Sequence, residues 1–205
     1  MSLVVLMRHG EALNNVKHIL TGRTLVYHLT ERGRLHVNEA VEMLKPLCIR
    51  YVYTSPITRT VETAEIVSSR LDIPFSIDER LTETDMGRLT GMSYFDVLDK
   101  YRDLLKRFYH GEDVSDYGLE NFNSIKARIL SMLDYVTNKH RGENTLLITH
   151  LDVIKAVIAE LLKVSADVLL DLKINTASLT ILTHSSSYQL LAYNVLNTSR
   201  YKPDD

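Results

Sequence analysis

A chain of 205 residues, 45% apolar and 24% charged, is long enough for one domain with a full hydrophobic core and too apolar to be disordered. Its formal charge of −2 excludes a general nucleic-acid binder, so any anion site must be a local cluster of positive charge. The single cysteine, Cys48, excludes an intramolecular disulfide and a thiolate zinc cluster, and a reducing cytoplasm is the expected compartment.

The chain opens on Leu3-Val4-Val5-Leu6-Met7, an unbroken apolar run that reads as a strand buried in a parallel sheet. It runs straight into Arg8-His9-Gly10-Glu11. Residues just past the C-terminal end of such a strand face the crevice where α/β sheets bind ligands. Gly10 is expected to free the backbone for a tight exit turn. Residues 11–20 read as a short helical or looping segment, and Thr21-Gly22-Arg23 as a turn. Thr30 is the expected N-cap of a helix running to about Lys45, with Leu35, Val37, Ala40, Val41 and Leu44 on its buried face. Gly33 is a mild cost within it and Pro46 its stop. Residues 49–53 form a second strand. Ser55 is then the expected N-cap, and Pro56 the first residue, of a helix ending near Arg70, with Arg59 on its first turn. Residues 75–77 are a third, weaker strand leading towards Glu83.

Ser93 starts a helical stretch to His110, followed by an acidic, irregular linker over 111–118. Residues 121–140 show helical spacing of Phe122, Ile125, Ile129, Met132, Leu133 and Val136. Residues 145–149 are a convincing strand with His150 at its C-terminal end, and 151–163 a buried helix. Strands over 178–183 and 188–195 read as a closing β-hairpin, and 200–205 as a polar tail. The apolar stretch 146–164 is broken by His150, Asp152, Lys155 and Glu160, so no membrane span is expected, and the N-terminus lacks a signal-peptide pattern. The alternation calls for an α/β fold, with helices on both faces of a mostly parallel central sheet, in a single domain over 1–205 with a helical insertion or lid at about 93–121.

Three of these strands deliver cationic or imidazole side chains just past their C-terminal ends: Arg8 and His9, then Arg59, then His150. In a parallel sheet those ends share one edge. Two arginines and two imidazoles around one point make a pocket for a phosphate dianion, because guanidinium forks match phosphate oxygens. The arginines disfavour an imidazolium, so one histidine is held neutral and free to attack phosphorus. A carboxylic acid such as Glu83 can then protonate the departing alkoxide.

The pattern Arg8-His9-Gly10-Glu11, Asn15, Thr21-Gly22, Leu29-Thr30-Glu31-Arg32-Gly33 and Ser55-Pro56-Ile57-Thr58-Arg59-Thr60-Val61-Glu62-Thr63-Ala64 resembles the histidine phosphatase (phosphoglycerate mutase-like) superfamily. Glu79-Arg80-Leu81-Thr82-Glu83 and Thr149-His150 continue it in order, so the resemblance spans about residues 3–160. It implies His9 as a nucleophile that becomes a phosphohistidine, Arg8, Arg59 and His150 as phosphate ligands, and Glu83 as acid and then base. It also places Asn15, Thr21 and Gly22 near the phosphate or leaving group, and implies neither metal nor cofactor. The chain departs from the family at His150-Leu151-Asp152, where His-Gly is frequent, and at Leu89-Thr90-Gly91, where Trp-Glu-Gly is frequent. Met86 stands where the mutase branch has Tyr, and Arg102 and Arg107 are not adjacent as that branch's paired arginines are.

These departures favour a metal-independent phosphomonoesterase of a small phosphorylated metabolite over a phosphoglycerate mutase. A non-catalytic phosphate-binding domain is the rival from another class, and it has no need of His9 and Glu83 together. A His/Asp metal site is disfavoured by the arginines beside both imidazoles. Arg23 and Arg88 are candidate substrate-reading cations. Glu11 is expected to pair with Arg8, Asp85 to face away from the site, and Tyr94, Tyr101, Tyr109 and Tyr117 to pack or to wall a lid. His18, His28, His36, His110, His140 and His184 carry no motif and read as packing or surface residues.

Overall fold

The N-terminal apolar run becomes strand β1 (Ser2–Arg8) of a computed structural model that describes residues 2–201. Met1 and residues 202–205 of the expected tail lie outside the described residues. In chain order there follow α1 (Leu13–Val16), α2 (Glu31–Leu44), β2 (Ile49–Thr54), α3 (Thr58–Leu71), β3 (Phe75–Ile77), α4 (Tyr94–Lys100) and α5 (Arg102–His110). Then come α6 (Phe122–Lys139), β4 (Asn144–Thr149), α7 (Leu151–Leu162), α8 (Ala166–Asp171), β5 (Leu179–His184) and β6 (Tyr188–Val195). The strands form one six-stranded sheet in the order β3-β2-β4-β1-β5-β6. β3, β2, β4 and β1 run parallel, while β5 pairs antiparallel with both β1 and β6, so the hairpin closes one edge.

β1 is apolar on both faces because both are covered. Val4 and Leu6 point into one core with α5, α6 and α7, and Val5 and Met7 into another with α2 and α3. Each of these four side chains is at most 1% exposed. Truncating one such as Leu6 to alanine costs about 2–5 kcal/mol.

Register sets the site. Arg8 pairs with Thr149 and Thr54 with Ile148, so the three central strands end level. The backbone N–H of His9 still donates to Thr149 O (3.0 Å), and that of Ser55 to Ile148 O (3.1 Å). His9, His150 and Ser55 are therefore each the first residue beyond the sheet, on one edge.

Several local expectations are corrected. Leu35 lies on the outer face of α2, 64% exposed, while the other four core positions are buried. α3 starts at Thr58 with Ile57 at its cap, two residues later than Ser55-Pro56 suggested. The Ser55 carbonyl accepts from the Thr60 hydroxyl (2.9 Å) and its own hydroxyl from Ile57 N (3.3 Å), which makes a turn ahead of the helix. The helical stretch 93–110 breaks at Tyr101, which leaves helical geometry and packs edge-on against Tyr117. α8 was not anticipated, although Ser165 accepts from Val168 N as an N-cap and Asp167 sits in the first turn.

Gly10 is needed for closeness rather than for a left-handed backbone. A Cβ there would sit 2.7 Å from Val37 Cγ2 and 3.0 Å from Gly33 O. Gly33 is its counterpart in α2, where a Cβ would lie 2.0 Å from Glu11 O. The helix thus seats directly against the turn behind His9, and two glycines make the approach possible.

Candidate active site

At the C-terminal edge of the parallel strands lies a cavity of about 800 Å³. Arg8, His9, Asn15, Thr21, Gly22, Arg59 and Glu83 all line it. His150 sits behind this wall, fully buried.

His9 is fixed by its hydrogen bonds. Its Nδ1 lies 2.7 Å from Gly10 O, an atom that can only accept, so Nδ1 carries the proton. Its Nε2 accepts from Arg59 Nε at 3.2 Å, so that nitrogen holds a lone pair facing the cavity. Burial first, and then Arg59 and Arg8, hold the His9 pKa well below the ordinary imidazole value, so the ring is neutral at pH 7. A neutral, oriented imidazole beside two guanidinium groups is a nucleophile for an electrophile that brings its own negative charge.

His150 stands 5.3 Å from His9 between ring centroids. Its Nδ1 accepts from Arg59 Nη2 at 3.2 Å and its Nε2 is 2.9 Å from Ser55 Oγ. Its pKa too is driven well below the ordinary value, by burial and by Arg59. Arg59, 2% exposed on the first turn of α3, spans both rings and also donates to Gly22 O (3.0 Å) and Thr24 O (3.3 Å). Burial lowers its pKa to about 10, which leaves it charged at pH 7. Arg8 donates to Ile174 O and keeps a buried Nε with no partner among the described residues.

Glu83 is carried by the segment after a 3₁₀ turn, Glu79–Leu81, which the Thr149 hydroxyl pins to β4 through Leu81 O (2.7 Å). Its Oε1 accepts from Thr84 N (2.9 Å) and its Oε2 lies 3.9 Å from His150 Nδ1. Burial first and Asp152 second raise its pKa to about 7, against the opposing pull of Arg59 and Arg8. This carboxyl therefore holds a proton over part of the neutral range and can give it up.

The other candidates divide. The Asn15 side chain closes the turn at α1 by accepting from Ala12 N (2.9 Å), and the neighbouring Asn14, also on the cavity wall, keeps a buried Oδ1 without a partner. Arg23 does not line the cavity; it donates to Glu83 O (3.1 Å) and pairs with Glu120 (2.9 Å). Arg88 is exposed and off the cavity, as is Asp85. Glu11 pairs with Arg32 and Thr30, not with Arg8, because α2 brings Arg32 over the turn. Tyr94 and Tyr109 wall the cavity while Tyr101 and Tyr117 pack on each other. Of the histidines without motif support, His140 is buried against Tyr53 and Tyr51, His28 pairs with Glu62, and His18 reaches the cavity rim.

Sequence reasoning missed Ser55 as a partner of His150, and it missed two buried charged groups on the cavity wall, Asp152 and Lys155, which flank the half-buried Tyr109. The spacing of Asp152 and Lys155, one helical turn apart directly after His150, was the available signal. Arg102 also lines the cavity, whereas Arg107 turns away to the Asp113 carbonyl and Glu112. Among the described residues no group of three or more His, Cys, Asp or Glu is arranged to hold a metal ion, and no helix is long and apolar enough to cross a membrane.

Comparison with known proteins agrees with this geometry. The family described as the histidine phosphatase superfamily (branch 1) matches residues 4–195. A 2,3-bisphosphoglycerate-dependent phosphoglycerate mutase of Thermoplasma acidophilum is 29% identical over 182 residues, 89% of this chain and 87% of that one. The structure of Bacillus stearothermophilus YhfR superposes with a TM-score of 0.85 at 26% identity, covering 96% of this chain and 98% of that one. A phosphoserine phosphatase mutant from Entamoeba histolytica, in complex with phosphoserine, shares the fold with a TM-score of 0.82 at 21% identity, covering 95% and 97%.

Proposed function

Since this chain belongs to the histidine phosphatase superfamily, we propose that it is a metal-independent phosphomonoester hydrolase working through a phosphohistidine on a small phosphorylated metabolite. The observation that carries the reading is the His9 ring: Nδ1–H committed to Gly10 O and the Nε2 lone pair turned to Arg59 and the cavity. Pure phosphate binding needs no such lone pair, and it needs no protonated carboxyl beside it. Cofactor, nucleic acid and membrane have no part in this reading, and the single cysteine is in keeping with the reducing cytoplasm we assign.

In the first step the phosphate enters between Arg8, Arg59 and His150, and Arg59 exchanges its imidazole contacts for phosphate oxygens. His9 Nε2 forms a bond to phosphorus as the bond to the leaving oxygen breaks, and Glu83 gives its proton to that oxygen. In the second step Glu83, now a carboxylate, takes a proton from water as the water attacks phosphorus. The P–N bond breaks, and inorganic phosphate leaves with His9 and Glu83 restored. The guanidinium groups and the N-terminus of α7 oppose the charge on the equatorial oxygens throughout.

A mutase uses the same nucleophile, and the curated relative named above favours that second reading. Two features of the cavity favour hydrolysis. Met86 stands on its wall, where the mutase-like pattern calls for a tyrosine, and only Arg102 of the two insertion arginines reaches it. The deciding experiment is a phosphate-release panel of sugar phosphates, nucleotides, phosphoamino acids and 3-phosphoglycerate. Conversion of 3- to 2-phosphoglycerate is followed in parallel, with and without a bisphosphoglycerate primer. Phosphate release outrunning isomerisation is expected; the reverse makes the protein a mutase.

A further inference from the structure

Asp152 lies two residues past His150, and nothing in the two chemical steps uses it. It is 3% exposed on the first turn of α7 and lines the same cavity as Glu83. Its two oxygens are each taken by a hydroxyl donor: Tyr109 Oη to Oδ1 at 2.8 Å and Thr84 Oγ1 to Oδ2 at 3.3 Å. Behind Tyr109, the buried Lys155 ammonium donates to the same phenol oxygen at 3.2 Å, which polarises the phenol towards Asp152. Burial and Asp152 push the Tyr109 pKa far up, so the phenol stays a donor. Both hydrogen bonds that Asp152 makes are thus ones it accepts, the pattern that suits an acceptor-only carboxylate.

Thr84 ties this carboxylate to Glu83. Its backbone N–H donates to Glu83 Oε1 (2.9 Å) while its hydroxyl donates to Asp152 (3.3 Å), so one residue grips both carboxyl groups. Two carboxyl groups that share one buried site cannot both ionise freely, and the proton goes to the one with fewer donors. Glu83 has the single Thr84 N–H; Asp152 has two hydroxyls with an ammonium behind one of them. The other charged and titratable groups around Glu83 are Arg59 on α3, Arg8 at the end of β1 and His150 at the end of β4. The two arginines pull the other way, favouring an ionised Glu83, and His150 is held neutral.

We propose that Asp152 is a positioning residue that keeps the proton on Glu83 in the free enzyme, with Tyr109, Thr84 and Lys155 holding Asp152 in its charged form. The relevance of that proton to turnover rests on the hydrolase reading above; the assignment of the proton itself does not. The mechanism also accounts for the opposing arginines: the phosphate site needs their charge, and without a compensating anion that charge would strip the acid before substrate arrives.

The test reads Glu83 directly. Carbon-13 NMR of the glutamate carboxyl groups, with Glu83→Gln for assignment, gives the Glu83 midpoint in the free protein and in Asp152→Asn. The expected result is a fall of about one to two units on removing the negative charge. Thr84→Val, which keeps the backbone donor and the side-chain volume, should give a smaller fall in the same direction, and it serves if Asp152→Asn does not fold. A Glu83 midpoint unmoved in the folded variants overturns the proposal. The pH dependence of kcat/KM for an alkyl phosphate, run alongside, separates the two readings. A falling midpoint with the alkaline limb moving down in step supports both. A falling midpoint with an unmoved limb supports the role of Asp152 and removes Glu83 as the acid of the hydrolase.

Discussion

Arg59 Nε donates to His9 Nε2 at 3.2 Å, so the guanidinium covers the lone pair that the proposed attack on phosphorus would use. The same guanidinium holds His150 Nδ1 at 3.2 Å. On the proposed mechanism, a phosphate that engages Arg59 would draw it off both rings and free His9 in one movement.

Arg59→Lys keeps a positive charge and loses the fork. A lysine ammonium is a point donor that cannot span two imidazoles and a bidentate phosphate. Turnover should fall by about 10²–10³-fold, the usual loss of one preorganised anion donor, and orthovanadate should inhibit the variant far less than the parent. Steady-state rates with a vanadate titration check both; equal vanadate inhibition would show that Arg59 does not hold the transferring phosphoryl group.

His9→Ala should abolish turnover together with any acid-labile phosphoenzyme, whatever the substrate. Glu83→Gln should slow phosphorylation by about 10²–10⁴-fold with an alkyl phosphate and much less with p-nitrophenyl phosphate, whose leaving group needs no proton. The variant should then accumulate phosphohistidine from the aryl ester. Rapid-quench labelling with mapping of the labelled residue decides the matter, and label on any residue but His9 refutes the assignment.

The pH profile follows from the two directions of shift. His9 is neutral down to well below its ordinary pKa, so nucleophilicity persists into acid solution. Glu83, raised to about 7, loses its proton above neutrality. With alkyl substrates kcat/KM should fall as pH rises through about 7, whereas the phosphorylation rate with an aryl ester should not. A stopped-flow series over pH with both substrates compares them, and an identical alkaline limb for the two would exclude Glu83 as its origin.

The same carboxyl affects stability. Its folded pKa of about 7 lies above the ordinary 4.5, so the folded state binds more protons than the unfolded one between these values. The stability it contributes is complete below the unfolded pKa and is lost as pH rises through the folded one. Glu83→Gln should therefore gain in Tm relative to the parent as pH rises from about 4.5 to about 7, and hold that gain above it. Calorimetry at pH 5 and pH 8 measures the difference, and an equal Tm offset at both would contradict a buried, late-ionising Glu83.

Gly33→Ala tests the close seat of α2 behind the nucleophile. By helix propensity alone the substitution should stabilise by about 1 kcal/mol. The added methyl would instead overlap Glu11 O, so Tm and turnover should both drop. A rise in Tm with activity retained would mean that the turn after His9 tolerates displacement.

The apolar period of β1 and β4 and the residues just beyond their ends were legible in the sequence, because strands buried on both faces leave little freedom in register or direction. That is why Arg8, His9 and His150 could be put on one edge from the sequence, with Arg59 following from the second strand and the helix after it and Glu83 from the family resemblance. Choices made in three dimensions by long side chains were not legible. Glu11 took Arg32 rather than Arg8, and Arg23 bound the backbone of Glu83, because each reached a partner that tertiary packing happened to supply. Leu35 fits the helical period yet faces solvent, since the period marks a stripe but not its edge. Gly33 read as a helix defect because a helix-to-turn contact has no signature in the sequence around it.

The strand order has a consequence for how the chain acquires its site. β1 and β2 are made early but never touch as neighbours; β4, which begins at Asn144, lies between them. Until the ribosome has delivered that strand, both carry an open edge, and His9 and Arg59 have no frame that fixes their spacing. β1 then needs its second flank from β5, later still. The nascent chain thus lacks a complete site for most of its synthesis, and the unfilled edges of β1 and β2 are where association with other chains would begin if release from the ribosome came early.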